Sequence, residues 1–335
     1  VVTGKPCDVP GATVERFRVP RAGLTNLRRW ERRWTRYLEG FLRCFDVVHV
    51  HFLHDWGLTP EVMQLGCLIA SPWGSDIVQP PGEAVPPASL RESRVAMLRH
   101  AAGVTAWGPA FASVVARYAG IDVERIELLP LGVDLHQFNP ARFGSRFAGG
   151  YDVGFFKGFR PVYGPQCLMQ AIPRVLAELP TTRFHMIGDG PLLDECRALA
   201  CDNGTDRSLE WIPRLAYDDI PSHIARWDLS VMPSVCESFG GAALESSAMQ
   251  VPVVAFDVGG LRETVRHGET GLLVRRGDHR ALADTITSLL HDAHTRRRMG
   301  EAGRALVARE YDWQVILDRW VCVYEAARDR VTPMV

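Results

Sequence analysis

The chain has 335 residues, which at roughly 100–200 residues per domain points to two domains. Apolar residues make up 47% and charged residues 23%, which excludes a disordered chain. With 38 basic against 39 acidic side chains the formal charge is −1, so no global positive field argues for nucleic acid as a partner.

The opening VVTG reads as the tail of a strand, so the chain is expected to begin inside a domain. VVTGKPCDVPG does not read as a signal peptide. The segment 26–43 is basic and aromatic, with Trp30, Trp34, Tyr37, Leu38 and Phe41 on one side of a helix and arginines beside them. Such a helix either lies on an anionic membrane surface or packs on a sheet with its arginines snorkelling to water. Strand-like runs follow at 46–52, 67–71, 103–107 and 126–130. The Pro-rich stretch 78–89 excludes helix and inner strand, and is expected to be a surface loop near a strand end.

Segment 136–150, rich in Gly, Arg and Phe, breaks the pattern and reads as a linker. A second series of apolar runs occupies 151–156, 183–188, 209–212, 228–233, 252–257 and 270–274. Helical spacing over 109–118, 165–178, 190–200, 240–250 and 294–309 alternates with the runs. Nearly continuous apolar strands alternating with helices imply α/β domains with parallel sheets covered on both faces. Residues 312–331 read as an amphipathic helix with Trp313, Ile316, Leu317, Trp320, Val323 and Tyr324 near one face. That helix caps the second domain or packs back across the first.

No apolar stretch approaches the ~20 residues needed to span a bilayer. The eight cysteines form no C-x-x-C pair and no zinc-like cluster with histidine, so free thiols in a reducing compartment are expected.

The chemistry concentrates after the run 228–233. ESFGGAALE, residues 237–245, sets Glu237 in a loop and Glu245 in a helix, with Gly240 and Gly241 between them. The glycines leave no side chain above the turn, and a helix N-terminus turns backbone N–H groups toward an anion. Carboxylates on either side suit the vicinal hydroxyls of a nucleotide sugar. Solvated acids on a surface helix are the plain alternative. Further glycine turns sit at Gly259–Gly260 and at Gly188 and Gly190, each after an apolar run. Lys157 and Arg160 follow the strand that opens the second domain and are the candidate cations for a departing diphosphate. In the first domain His49 and His51 share one strand face, with a structural role expected for His49. His51 and His54 are candidates to meet a hydroxylated acceptor, and PWGSDI places Trp73 and Asp76 beside a glycine turn. No G-x-S-x-G, H-E-x-x-H or Walker A pattern occurs, which disfavours a hydrolase.

These residues, in this order, resemble the retaining glycosyltransferase family 4. The resemblance rests on its E-x7-E signature at Glu237 and Glu245, and on 249–274, PLGVDLHQFNP (130–140), IGDGP (187–191) and WIPRLAYDDIP (211–221). It implies a GT-B architecture of two facing Rossmann-like domains with parallel sheets. Residues 1–140 would form the acceptor side and 141–311 the nucleotide-sugar side, with 312–335 a terminal helix packing back toward the first. Glu237 would lie by the transferred sugar, and Glu245 would bind the donor ribose. Ser238, Phe239, Gly240 and Gly241, with Gly188 nearby, would hold the donor's phosphates and sugar. Pro213 and Arg214 would border the base, UDP or GDP, while Lys157, Arg160 and His54 would serve the reaction. The acceptor side would present His51, Trp73 and Asp76. No metal and no separate cofactor are implied.

The chain departs from the family pattern at three places. Phe155 takes the place of an Arg, and Val162 or Tyr163 that of a Lys. Trp73 takes the place of a His. The opening strand and loop of the first domain are absent. The expected location is cytoplasmic, with peripheral contact at the inner membrane face through 26–43 as a further expectation. A nucleotide-sugar epimerase and a degenerate sugar-nucleotide-binding partner are the competing readings.

Overall fold

A computed structural model describes residues 42–53, 67–79, 85–144 and 150–329, besides Gly40 and the backbone of 2–3 and 15–16. The basic aromatic segment lies outside these residues apart from Gly40, Leu42 and Arg43, and so does His54. Among the described residues no helix is long and apolar enough to cross a membrane.

Two strand fragments, β1 (Val2–Thr3) and β2 (Glu15–Arg16), pair in parallel. The first sheet has four parallel strands in chain order: β3 (Val48–His51), β4 (Leu68–Ser71), β5 (Gly103–Ala106) and β6 (Ile126–Leu128). Helices α1 (Ala88–His100) and α2 (Pro109–Ala119) complete this half. β4 is buried along its whole length, as a strand covered on both faces must be. The Pro-rich stretch ends where α1 begins: Pro87 stands at the N-cap, a position that tolerates its fixed φ. The loop reading of 78–89 therefore stops two residues into a helix, and the helix 88–100 itself carries too weak an apolar stripe to stand out in the sequence.

The second sheet has six parallel strands. They are β7 (Tyr151–Phe156), β8 (Thr182–Ile187), β9 (Leu209–Ile212), β10 (Leu229–Met232), β11 (Val253–Phe256) and β12 (Gly271–Val274). Their spatial order is β12-β11-β10-β7-β8-β9. The chain thus builds outward from β7 in one direction, then returns to its other side with β10. The β7–β10 boundary is a topological switch point, where loops diverge from the strands' carboxyl ends and leave a crevice. Helices α3 (Pro165–Glu178) and α8 (His279–His291) pack together, and α6 (Gly241–Ala248) packs against α9 (Ala293–Glu310). The remaining helices are α4 (Leu193–Asp202), α5 (Ile220–Ile224) and α7 (Leu261–Thr264).

Helix α10 (Trp313–Asp329) follows the second half but packs on the first. Ile316 and Trp320 cluster with Leu129, and Tyr324 Oη lies 2.9 Å from His49 Nδ1. Val133 N–H donates to Tyr311 O at 2.7 Å, and Trp313 N–H donates to Val133 O at 3.1 Å, so the crossover and the terminal helix are stapled to one another.

The most tightly enclosed side chain of the second half is Trp227, fully buried with its indole against Phe156 at 5.5 Å between centroids. A Cβ at Gly154, in the middle of β7, would stand 2.1 Å from this ring, so only glycine allows the ring to lie flat on the sheet. Trp227→Ala is expected to lower the unfolding free energy by about 3–5 kcal/mol, read as a shift of the urea midpoint.

Candidate active site

The carboxyl ends of β7 and β10 bring Lys157 and Glu237 together. Lys157 is the first residue after β7, and Glu237 lies in the loop from β10 to α6. Lys157 Nζ stands 2.7 Å from Glu237 Oε2, with side-chain exposures of 14% and 11%. Burial works against the ammonium, yet the carboxylate of Glu237, with Tyr163 and Glu245 adding to it, holds the Lys157 pKa above its ordinary value. The Tyr163 ring lies 4.8 Å from the same nitrogen, and Ser234 Oγ donates to Glu237 Oε2 at 3.4 Å. Of the two sequence candidates for a central cation, the geometry sets Lys157 against Glu237 and Arg160 on the wall of the cleft. Val162 also lines that wall, so the family's usual Lys is here an apolar side chain.

The glycine turn has a backbone reason. Gly240 adopts φ +98°, and a Cβ there would meet Thr264 Oγ1 at 2.7 Å. Gly260 N–H donates to Glu237 O at 2.9 Å, which ties the loop after β10 to the loop after β11. Phe239 is buried against Trp107 and Tyr311, and Ser238 Oγ donates to Trp73 O at 2.9 Å. Both side chains are thus engaged within the protein, which leaves the backbone of 238–241 as the part that can face a ligand. Gly188, at φ +140°, lets the chain cross within 2.2 Å of where its Cβ would meet Lys157 O. Its place is under Lys157, as a backbone requirement.

Glu245 sits in the second turn of α6 and accepts from Tyr217 Oη at 2.9 Å. Burial raises its pKa to about 7, against the opposing effects of the Tyr217 hydrogen bond and the Lys157 charge. Pro213 and Arg214 are exposed just after β9, in the loop that leads to Tyr217. Tyr217 is the contact that the sequence did not single out. It lies within the segment 211–221, but a lone tyrosine in a loop has no periodicity to mark it.

The facing wall comes from the first half. Trp73 is 41% exposed, and its ring meets His51 edge-on at 6.0 Å. His49 lies behind, between Ser71 Oγ at 2.7 Å and Tyr324 Oη at 2.9 Å. Burial, with the neighbouring His51, lowers the His49 pKa to about 3, and burial lowers that of His51 as well. Asp76 does not face the cleft as the acceptor-side expectation had it. It is 1% exposed, and its carboxylate accepts from the N–H groups of Leu53, Trp73 and Gly74. Its geometry is that of a pin for the loop that presents Trp73.

Between the walls lies a cleft of about 1300 Å³, lined by Trp73 and Phe111 on one side and by Arg160, Glu237 and Arg276 on the other. A second tie crosses it: Glu263 Oε1 accepts from Ala110 N–H at 2.6 Å, in the first turn of α2. No group of three or more metal-ligating side chains occurs among the described residues.

Residues 141–306 match the family described as glycosyl transferases group 1. The chain is 36% identical over 230 residues to the D-inositol 3-phosphate glycosyltransferase of Pseudarthrobacter chlorophenolicus, covering 65% of this chain and 54% of that protein. It is 31% identical over 293 residues to the enzyme of the same name from Paenarthrobacter aurescens, covering 81% of this chain and 70% of that protein. The matched stretch spans about half the length of the Pseudarthrobacter relative. The fold is similar to that of Anabaena Alr3699/HepE, solved in complex with UDP and glucose. There the TM-score is 0.75 at 19% identity, over 93% of this chain and 86% of that one.

The raised pKa of Glu245 has a consequence for stability. Between about 4.5, its ordinary value, and about 7, the unfolded chain has released this proton while the folded chain keeps it. Stability from this group therefore falls as pH rises through that window and is level above it. The urea midpoint of the parent is expected to drop between pH 5 and pH 7.5 by an amount that Glu245→Gln does not show. Equal pH profiles for the two proteins would contradict the assignment.

Proposed function

The chain belongs to the glycosyl transferases group 1 family, and on that premise we propose that it is a retaining transferase that moves a sugar from a nucleotide-diphosphate sugar to an acceptor hydroxyl. The observation that carries this reading is the Lys157–Glu237 pair, placed at the switch point of a parallel sheet and facing a cleft between two α/β halves.

In this reading residues 141–311 bind the donor. The base lies by Pro213 and Arg214, and the ribose hydroxyls donate to Glu245, which Tyr217 orients. The diphosphate takes the ammonium of Lys157 and the backbone N–H groups of the glycine turn at the start of α6. Glu237 lies by the sugar, where its carboxylate stabilises the positive charge that develops as the anomeric bond to the diphosphate breaks. The acceptor oxygen bonds to the anomeric carbon on the face that the diphosphate leaves. Its proton passes to a departing phosphate oxygen, so no covalent intermediate on Glu237 is needed. The ion pair with Lys157 fits this role, since one carboxylate oxygen is already taken. Bound UDP in the similarly folded Anabaena structure supports a UDP or GDP donor.

The test is release of nucleoside diphosphate from UDP- and GDP-sugars in the presence of hydroxylated acceptors, with the product anomer read by NMR. Glu237→Gln is expected to lower release by about 10²–10³-fold, the usual effect of removing one preorganised charge-stabilising group. An epimerised donor with its diphosphate bond intact would replace this reading by an epimerase. Donor binding without turnover, with acceptor present, would replace it by a binding protein.

A further inference from the structure

Resting on the transferase reading, we propose that Arg275 and Arg276 form the subsite for a phosphomonoester carried by the acceptor.

Position comes first. Both arginines follow β12 directly, at one edge of the second sheet, while Pro213 and Arg214 follow β9 at the opposite edge. Glu237 follows β10, between the two. A donor laid from the β9 end to Glu237 therefore stops two strands short of β12, about 10 Å at the usual strand spacing. Arg275 and Arg276 lie beyond the sugar, on the side from which an acceptor must come. Both line the cleft, whereas Lys157 and Glu245 do not.

Charge comes second. Arg262, on the same wall, already has an anion: its Nε lies 2.5 Å from Asp257 Oδ1. Neither Arg275 nor Arg276 has an ion pair among the described residues, and both are exposed. Glu237 is occupied by Lys157. The cleft wall around β12 thus carries two uncompensated guanidinium groups. Arg276 is close enough to the centre for its charge to reach Cys236, the residue before Glu237.

Geometry of the donors comes third. His267 lines the same wall and accepts the N–H of Leu273 on Nδ1 at 2.9 Å, so in its neutral form its proton resides on Nε2. Two guanidinium forks and an imidazole N–H offer more directed donors than a carboxylate has oxygens to satisfy. A tetrahedral phosphate with three terminal oxygens matches them. Across the cleft, Trp73 and Phe111 supply apolar faces for the rest of the acceptor.

The full chain, with and without saturating UDP or GDP, is titrated by calorimetry with paired probes. These are glucose and glucose 6-phosphate, glycerol and glycerol 3-phosphate, and myo-inositol and its monophosphate. Phosphatidylcholine vesicles with or without phosphatidic acid form the lipid arm. At least one phosphorylated probe is expected to bind about tenfold more tightly than its neutral partner, the equivalent of one charge-assisted hydrogen bond. The double variant Arg275→Gln/Arg276→Gln is expected to lose that preference while its nucleoside diphosphate affinity and unfolding midpoint stay at parent values. Preference confined to the vesicles identifies a lipid-borne phosphate, and preference for the small probes a soluble one. Equal binding within every pair, a preference that survives the double variant, or an equal loss of nucleotide affinity would each overturn the proposal. Failure of UDP and GDP to bind at all would instead strike the transferase reading, and the probe pairs read without nucleotide keep the two failures apart.

Discussion

The site depends on one contact between two strand ends, the ammonium of Lys157 against the carboxylate of Glu237. Either charge alone in so enclosed a place would cost several kcal/mol of desolvation. Paired, each makes the other tolerable, and β7 and β10 must lie side by side for the pair to form. The sheet order supplies that adjacency across a large separation in sequence. The chain has only two lysines, Lys5 and Lys157, among its 38 basic residues. A compact ammonium on an unbranched stem fits between Tyr163 and Glu237, where a planar guanidinium presents a wider fork.

The loops around the pair are held by backbone more than by side chains. Glu237 O takes the N–H of Gly260, and a Cβ at Gly260 would stand 2.4 Å from Phe239 O. Two glycine turns therefore interlock: the one that carries Glu237 and the one after β11. Neither can move without the other. This is why glycine recurs at successive strand ends here, where a side chain on either turn would push the carboxylate away from Lys157.

Much of the fold was legible because parallel strands buried on both faces write themselves as short apolar runs, and β7 through β12 all do. The helix 88–100 was not, since Pro87 at its start reads as a breaker and its mean amphipathic signal is low. At the site, the spacing from Glu237 to Glu245 and the glycines between them showed where a phosphorylated ligand would fit. Which cation meets Glu237 was not legible, because Lys157 and Arg160 are three residues apart and only the fold separates a strand-end side chain from one on the cleft wall. Asp76 misled for a related reason: an acid beside a glycine turn looks the same in sequence whether it faces a ligand or its own backbone. Tyr217 and Glu263 act through partners far away in the chain, Glu245 and Ala110, and such pairs leave no local mark.

The ties across the cleft join the two halves at the same segments that build the donor site. Ser238, next to Glu237, holds the carbonyl of Trp73, and Glu263, three residues after Gly260, holds the first turn of α2. A Cβ at Gly74 would stand 2.7 Å from Ser238 Oγ, and one at Gly108 would overlap the Glu263 carboxylate, so both contacts require glycine on the first half. The two walls therefore touch where the interlocked glycine turns are, and opening the cleft means pulling directly on the loops that position Glu237. Helix α10 adds the third point of attachment, on the far side at Leu129 and His49. Three contacts not in line fix an orientation, and this one sets the aromatic face of Trp73 opposite the cationic wall beyond β12.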